Sequence, residues 1–229
     1  MRALHDHNER AAAAALAEQI LRDDMVVALI SDAGTPLVSD PGFVLVREAL
    51  ARHIAVTAVP GPAALIMALV LSGLPAERFV FEGFLPPRAG KRRERLSELA
   101  FEPRTLVFYE APHRLEAMLA DVAAACGDER RVAVARELTK RFEHVYRGTV
   151  REVRAEIGAD PHGTRGEMVV VVEGGAARDA SGEIDTLLRH ALKYLSVRDA
   201  ASLVAEISGQ GRNAIYQRCL ELSGSRPHT

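Results

Sequence analysis

Polar and titratable residues in this chain gather at the ends of short apolar runs. Val26, Val27, Ala28, Leu29 and Ile30 lead into Ser31-Asp32-Ala33-Gly34-Thr35-Pro36. Asp32 offers a carboxylate to a ribose or an amine, Gly34 permits positive φ or a close backbone approach, and Pro36 stiffens the turn. Comparable clusters follow at Pro60-Gly61-Pro62, at Tyr109-Glu110 with His113-Arg114, at Arg136-Glu137 with Lys140, and at Arg165-Gly166-Glu167. Each cluster alone is more often a loop or a helix cap. Their recurrence points to one ligand site assembled at strand ends by two α/β halves. A basic run, Arg88, Lys91, Arg92, Arg93 and Arg95, suits phosphate contacts. It also reads as a solvated helix face balanced by Glu94 and Glu98. Tyr109 is placed either to stack on a base or adenine ring or to sit in the core.

The elements that must position these groups follow from periodicity. Asn8 to Arg22 predicts an alanine-rich helix with Asn8 as N-cap. Residues 26–30 and then Ile54, Val56 and Val59 predict two buried parallel strands, joined by a helix carrying Phe43, Val44, Val46, Ala49 and Leu50. Pro62 is expected to start a helix running to Leu71. Phe79, Phe81 and Phe84 mark a half-buried strand, Thr105–Tyr109 and Val132–Ala135 two apolar ones, Val145-Tyr146 a short one and Met168–Val172 the last. Leu115–Ala125 predicts a core-facing helix, and Thr149 with Glu152 a capping box for the helix to Ile157. The tail from Glu183 predicts three helices. The first has one stripe of Leu187, Leu188, Ala191, Leu192 and Leu195, the second turns Ala201, Val204 and Ile207 inward, and the third carries Ile215, Tyr216, Cys219 and Leu220. Ser196 caps the second, and the Gly209-Gln210-Gly211 turn with Asn213 as N-cap starts the third. Such a unit is either a nucleic-acid-reading helix-turn-helix or a packing and dimerisation appendage. Domain spans of 1–76, 77–175 and 180–229 follow, an α/β architecture in two parts plus a small helical domain.

The totals narrow the class. With 229 residues and a formal net charge of −2, the chain is no uniformly basic nucleic-acid coat. Its two cysteines, Cys126 and Cys219, stand far apart with no CxxC and no histidine cluster. That spacing argues against a disulfide framework and a metal site and for a reducing compartment. No apolar run reaches the roughly 20 residues of a membrane span, and the acids and histidines of the first residues do not suit a signal peptide. A cytoplasmic protein is expected.

The strings SDAGTPLVSDPG (31–42), VPGPAALIMALVLSGLP (59–75), FEGFLPPRAGKRRERL (81–96), LVFYEAPHRL (106–115), ARELTKRFEHVYRGTV (135–150) and RGEMVVVVEG (165–174) resemble the ribosomal RNA small subunit methyltransferase I family. That family lies within the tetrapyrrole-methylase-like methyltransferases. The likeness covers almost the whole chain, from HDHNE at 5–9 to the helical tail. It implies a two-domain tetrapyrrole-methylase-like fold and 2′-O-methylation of a cytidine ribose in 16S ribosomal RNA by S-adenosyl-L-methionine. It further implies a homodimer acting on the small ribosomal subunit. Family members begin with a strand bearing an ATPIGNL-like loop, a helix and a strand ending in an EDTR-like motif. The 229-residue sequence holds no such stretch, so a pocket lacking one wall and an unpaired sheet edge are expected.

Carried onto this sequence, the resemblance assigns cofactor binding to Ser31, Asp32, Ala33, Gly34, Pro60, Gly61, Pro62, Tyr109, Arg165, Gly166 and Glu167. RNA contacts fall to Arg88, Lys91, Arg92, Arg93, His113, Arg114 and Arg136. Deprotonating a ribose hydroxyl invites a general base, for which Glu110 and Glu137 are the candidates, with Lys140 beside them. Two alternatives share these features: a truncated, non-catalytic RNA-binding remnant and a small-molecule tetrapyrrole methyltransferase.

Overall fold

The computed structural model describes residues 3–5, 8–31, 34–176 and 180–224. One compact unit runs to Gly175 and a second begins at Ala176. In the first unit, helices α1 (Glu9–Arg22), α2 (Phe43–Ala51) and α3 (Ala64–Ser72) precede strand β1 (Phe79–Phe84). Then come α4 (Ala89–Leu99), β2 (Thr105–Glu110), α5 (Leu115–Cys126), β3 (Arg131–Arg136), β4 (His144–Thr149), α6 (Val150–Ala159) and β5 (Met168–Val172). The five strands form one sheet in the order β1-β2-β5-β3-β4. Of the neighbouring pairs, β1 and β2 are parallel; β5 runs antiparallel to both β2 and β3, and β4 antiparallel to β3.

The period of two along each strand sorts side chains onto two cores. Leu106, Phe108, Val132, Val134, Val170 and Val172 face the helices α4, α5 and α6. Val107, Ala133, Ala135, Val169 and Val171 face Leu65, Ala68 and Leu69 of α3. Both faces of β5 are therefore covered, and every one of its residues is buried. The Thr149–Glu152 capping box forms as expected, each side chain bonding the other's backbone N–H.

The two strands expected in the first part of the chain do not form. Residues 26–30 and 54–63 form no assigned helix or strand, and neither segment joins the sheet of the described residues. Val26 and Val59 stand 101% and 90% exposed. A continuous apolar run becomes a parallel strand only when neighbours cover both its faces and pair its edges. Among the described residues the parallel α/β sheet predicted there is absent, and the parallel pairing falls to β1 with β2.

Smaller corrections have local causes. Asn8 sits at the N-cap of α1, but its side chain accepts from His5 N and donates to Ala3 O. In α2 the buried stripe is Leu45 and Ala49, with Phe43 and Leu50 exposed. Helix α3 begins after Ala63, so Pro62 precedes the cap instead of opening the helix.

The second unit holds α7 (Ala180–Ala191), α8 (Val197–Ser208) and α9 (Arg212–Gly224). Ile184, Leu188, Ala200, Ala201, Val204, Ile215 and Cys219 are its core. Ser196 caps α8 through Asp199 N, and Gly209 ends it in the left-handed region. Ile207, expected inward, is exposed, as are Leu187, Leu195, Tyr216 and Leu220. Asn213 lies inside α9 and does not cap it.

Glu9 of α1 ties the first unit together locally. Its buried Oε1 accepts the backbone N–H groups of Gly42 and Val44, each at 2.8 Å, at the start of α2. A helix start lacking such an acceptor leaves donors unsatisfied. Glu9→Ala should therefore lower stability by about 1–3 kcal/mol, and Glu9→Gln, whose carbonyl still accepts, by less. Denaturant midpoints check this; an unchanged midpoint in Glu9→Ala would detach Glu9 from the helix start.

Candidate functional site

Three strand ends and one strand start meet at the same edge of the sheet. Because β5 is antiparallel to its neighbours, Met168 at its start pairs with Glu110 at the end of β2 and with Arg136 at the end of β3. Phe84, ending β1, pairs with Tyr109. The loops leaving or entering these points, together with residues 34–40 and the start of α3, enclose a cavity of about 580 Å³. That volume suits a nucleoside-sized cofactor. Val38, Met67, Leu138 and Val169 give it apolar walls, while Ser39, Asp40, Glu110, Thr139, Lys140 and Glu167 supply polar groups.

The wall from β3 to β5 is a knot of hydrogen bonds. Glu137 N donates to Glu167 O at 2.9 Å, and Glu167 N donates to Glu137 Oε1 at 2.9 Å. Lys140 Nζ bridges the two carboxylates, at 2.9 Å from Glu137 Oε1 and 3.0 Å from Glu167 Oε2. The lysine and the Glu167 backbone hold the Glu137 carboxyl below its ordinary range, and the two carboxylates raise Lys140. Gly166, at φ +84°, brings its backbone so close that a Cβ there would fall 2.4 Å from Glu137 Cδ. Glu137 is thereby committed to holding the turn, and its depressed basicity makes it a poor proton acceptor.

Glu110 is different. Its side chain is buried; Oε1 accepts from Ala111 N at 2.8 Å, and Oε2 has no hydrogen-bond partner. Arg114 Nε lies 3.1 Å from Oε1. A buried acceptor without a donor is costly, and this residue lines the cavity. A bound molecule is the natural source of the missing donor.

The two loops that close the cavity are strained. Leu37 and Ser39 in one, and Glu137 and Thr139 in the other, adopt left-handed φ without being glycine. Such conformations cluster at ligand sites. Thr35 Oγ1 ties the first loop to Pro62 O at 3.1 Å.

Of the cofactor residues expected from sequence, Gly34, Pro62, Tyr109, Gly166 and Glu167 line the cavity, and Glu110 and Lys140 join them. Ser31, Pro60, Gly61 and Arg165 do not contribute to its lining. Asp32 and Ala33 lie outside the described residues. Among the expected RNA contacts, Arg88, Lys91, Arg93 and His113 are exposed. Arg92 is buried and pairs with Asp121 at 2.7 Å. Arg136 is buried too; Nη1 donates to His162 O at 2.7 Å, and Nη2 lies 3.8 Å from Asp160. Arg114 Nη2 donates to Leu85 O at 2.7 Å. These three guanidiniums brace the fold because the helix and strand faces carrying them point inward. Sequence reading missed Thr35, Ser39, Asp40, Met67, Phe84 and Thr139. The turn residues among them sat within the strings SDAGTPLVSDPG and ARELTKRFEHVYRGTV, whereas Phe84 read as part of a half-buried strand and Met67 as one residue of an apolar helix.

Comparison with known proteins supplies the family. Residues 1–154 match the family of tetrapyrrole (corrin/porphyrin) methylases, and residues 178–223 match the RsmI C-terminal HTH domain. The chain is 49% identical to the ribosomal RNA small subunit methyltransferase I of Xylella fastidiosa Temecula1, over 93% of this chain and 79% of that protein. It is 47% identical to the protein of that name from Pseudomonas aeruginosa, over 97% and 80%. Among solved structures, the methyltransferase CobJ superposes with a TM-score of 0.51 at 20% identity, over 73% of this chain and 70% of that one. Cobalt precorrin-4 methyltransferase gives 0.52 at 15% identity, over 72% and 71%; these two show the fold. The chain belongs to the ribosomal RNA small subunit methyltransferase I family of tetrapyrrole-type methylases.

Proposed function

We propose that this chain methylates the ribose 2′-hydroxyl of a cytidine in 16S ribosomal RNA, using S-adenosyl-L-methionine. The observation that carries the reading is likeness over 93% and 97% of this chain, and 79% and 80% of the relatives' length, to proteins bearing that family's name, in a chain with a strand-end cavity that suits a nucleoside-sized cofactor. Cofactor binding falls to Gly34 and Pro62 on one wall and to Tyr109, Glu110, Gly166 and Glu167 on the other. Ser31, Pro60, Gly61 and Arg165 flank these lining residues in sequence, and the family likeness adds Asp32 and Ala33 to the cofactor set. When bound, the cofactor supplies an electrophilic sulfonium methyl, so orientation and water exclusion provide much of the rate. The apolar walls of Met67, Leu138 and Val169 exclude water. Glu110 accepts the ribose hydroxyl proton on its unpartnered Oε2, and Lys140 keeps the opposing turn in place. Arg88, Lys91, Arg93 and His113 present the exposed contacts to RNA. The reading further includes a homodimer working in the cytoplasm on the small ribosomal subunit, and spans 1–76 and 77–175 as the two halves of the catalytic unit. No described helix is long and apolar enough to cross a membrane.

Three measurements test these assignments. Glu110→Gln should lower kcat about 10²- to 10⁴-fold; an unchanged kcat would remove Glu110 from the proton's path. Lys91→Ala and Arg93→Ala should each reduce the slope of log affinity for ribosomal RNA against log salt by about one. An unchanged slope would return α4 to an ordinary solvated face. The third is a pH profile. Glu137 has a depressed pKa in the folded state, so its contribution is complete above its ordinary value of 4.5 and is lost as pH falls through the lowered one. Lys140, whose pKa is raised, contributes fully below its ordinary value of 10.5. Calorimetric affinity for S-adenosylmethionine should therefore hold from about pH 7 to 5 and fall below that, while Glu137→Gln starts weaker and falls less. Parallel losses in both proteins would separate Glu137 from the cofactor wall.

A further inference from the structure

Strand β1 contains one irregularity, and it lies beside the cavity. Phe79, Val80 and Phe81 pair in step with Thr105, Leu106 and Val107, but the register then shifts so that Gly83 meets Phe108 and Phe84 meets Tyr109. The extra residue reverses the parity of everything after it. In a regular strand Phe84 would share a face with Val80, which packs on the α4–α5 side of the sheet. The bulge instead turns Phe84 to the face of Phe81 and Tyr109. Both rings contact Tyr109, with centroids 4.9 Å away for Phe81 and 5.7 Å for Phe84.

Gly83 makes the bulge possible. Its φ is +65°, and a Cβ there would stand 3.0 Å from Ser39 Oγ in the cavity's other loop. Bulges beside active sites commonly re-aim a side chain. Here the outcome is a phenyl ring that lines the cavity yet is 53% exposed.

The surroundings of that ring are graded. Glu110 is buried, Tyr109 half-buried and Phe84 exposed, so Phe84 stands at the outer lip. Immediately after it, the Leu85-Pro86 corner is clamped by Arg114, whose Nη2 donates to Leu85 O at 2.7 Å. Beyond the corner, Arg88, Lys91 and Arg93 present exposed positive charge at the start of α4. An aromatic face beside a cationic strip is the arrangement that holds single-stranded nucleic acid, with bases stacking and phosphates tracking the charge.

We propose that Phe84 is a stacking platform for an unpaired RNA base, holding the target nucleotide at the lip while its ribose reaches Glu110. This rests on the ribosomal RNA reading above and names the subsite through which that substrate is held. An enzyme acting on a ribose within folded RNA gains from holding the nucleotide out of its stack.

The chain has no tryptophan, so Phe84→Trp installs a lone tryptophan at the lip, excited selectively at the red edge where the four tyrosines do not absorb. A short cytidine-containing single-stranded oligoribonucleotide should quench it strongly, whereas S-adenosylmethionine alone should leave it little changed. In methylation assays on small ribosomal subunits, Phe84→Leu keeps an apolar side chain but loses the π-face. Its KM for the subunit should rise about 5- to 100-fold, with the calorimetric cofactor affinity within about twofold of the parent. Phe84→Trp should stay near the parent KM. A wild-type KM in Phe84→Leu, or quenching by the cofactor and not by RNA, overturns the platform. A parent chain that transfers no methyl to small subunits overturns the functional reading instead.

Discussion

The reversed direction of β5 organises this molecule. Its five residues are buried on both faces between β2 and β3, so the strand has no freedom to slip. A one-residue shift would send Val170 and Val172 to the α3 side and Val169 and Val171 to the other. Antiparallel pairing then places the turn before β5, not the turn after it, against the carboxyl ends of its neighbours. Residues 165–167 arrive at Glu137 for that reason, and the reciprocal bonds between Glu137 and Glu167 become geometrically possible. The two carboxylates would repel at such close quarters. Lys140, 2.9 and 3.0 Å from them, converts the repulsion into an ion-pair network.

Strain is distributed in keeping with this. Left-handed non-glycine residues cost of order 1 kcal/mol or more, and two pairs of them border the cavity. The pair Glu137 and Thr139 is held by the knot on β5 and by the Thr139 N bond to Glu143. The pair Leu37 and Ser39 stands on a loop outside the sheet. Its support comes from Thr35 on Pro62 and from Glu9 at the following helix start. The half of the cavity built on the sheet is thus rigid by burial, while the other half depends on a few directed bonds.

What could be read from residue order divides along the same line. The elements from Phe79 onward declared themselves because their periods are backed by neighbours in the same stretch of chain. The Thr149 capping box and the apolar run of β5 are local signals with local consequences. The runs at 26–30 and 54–59 carry an equally strong apolar signal, but a buried strand depends on partners that periodicity does not supply. They join no strand ladder among the described residues. Side-chain roles were less legible than elements. Arg92, Arg114 and Arg136 looked like cations for RNA, yet each guanidinium serves an internal acceptor. Basicity says that a residue can meet phosphate; only the face it stands on says whether it does.

Phe84 shows why the most informative position was also the hardest to see. Counting by twos assigns it to the face of Val80, and phenylalanine in a strand ordinarily means core. A single bulge, permitted by one glycine with positive φ, cancels that inference and delivers the ring to the cavity. The same glycine leaves room for Ser39 from the opposite loop, so one backbone irregularity shapes both sides of the lip. A regular strand would have placed Phe84 on the α4–α5 side and left the half-buried Tyr109 as the aromatic ring lining the cavity. The departure from ideal geometry is therefore what joins the sheet, which holds the buried Glu110, to the lip beside the exposed cations of α4.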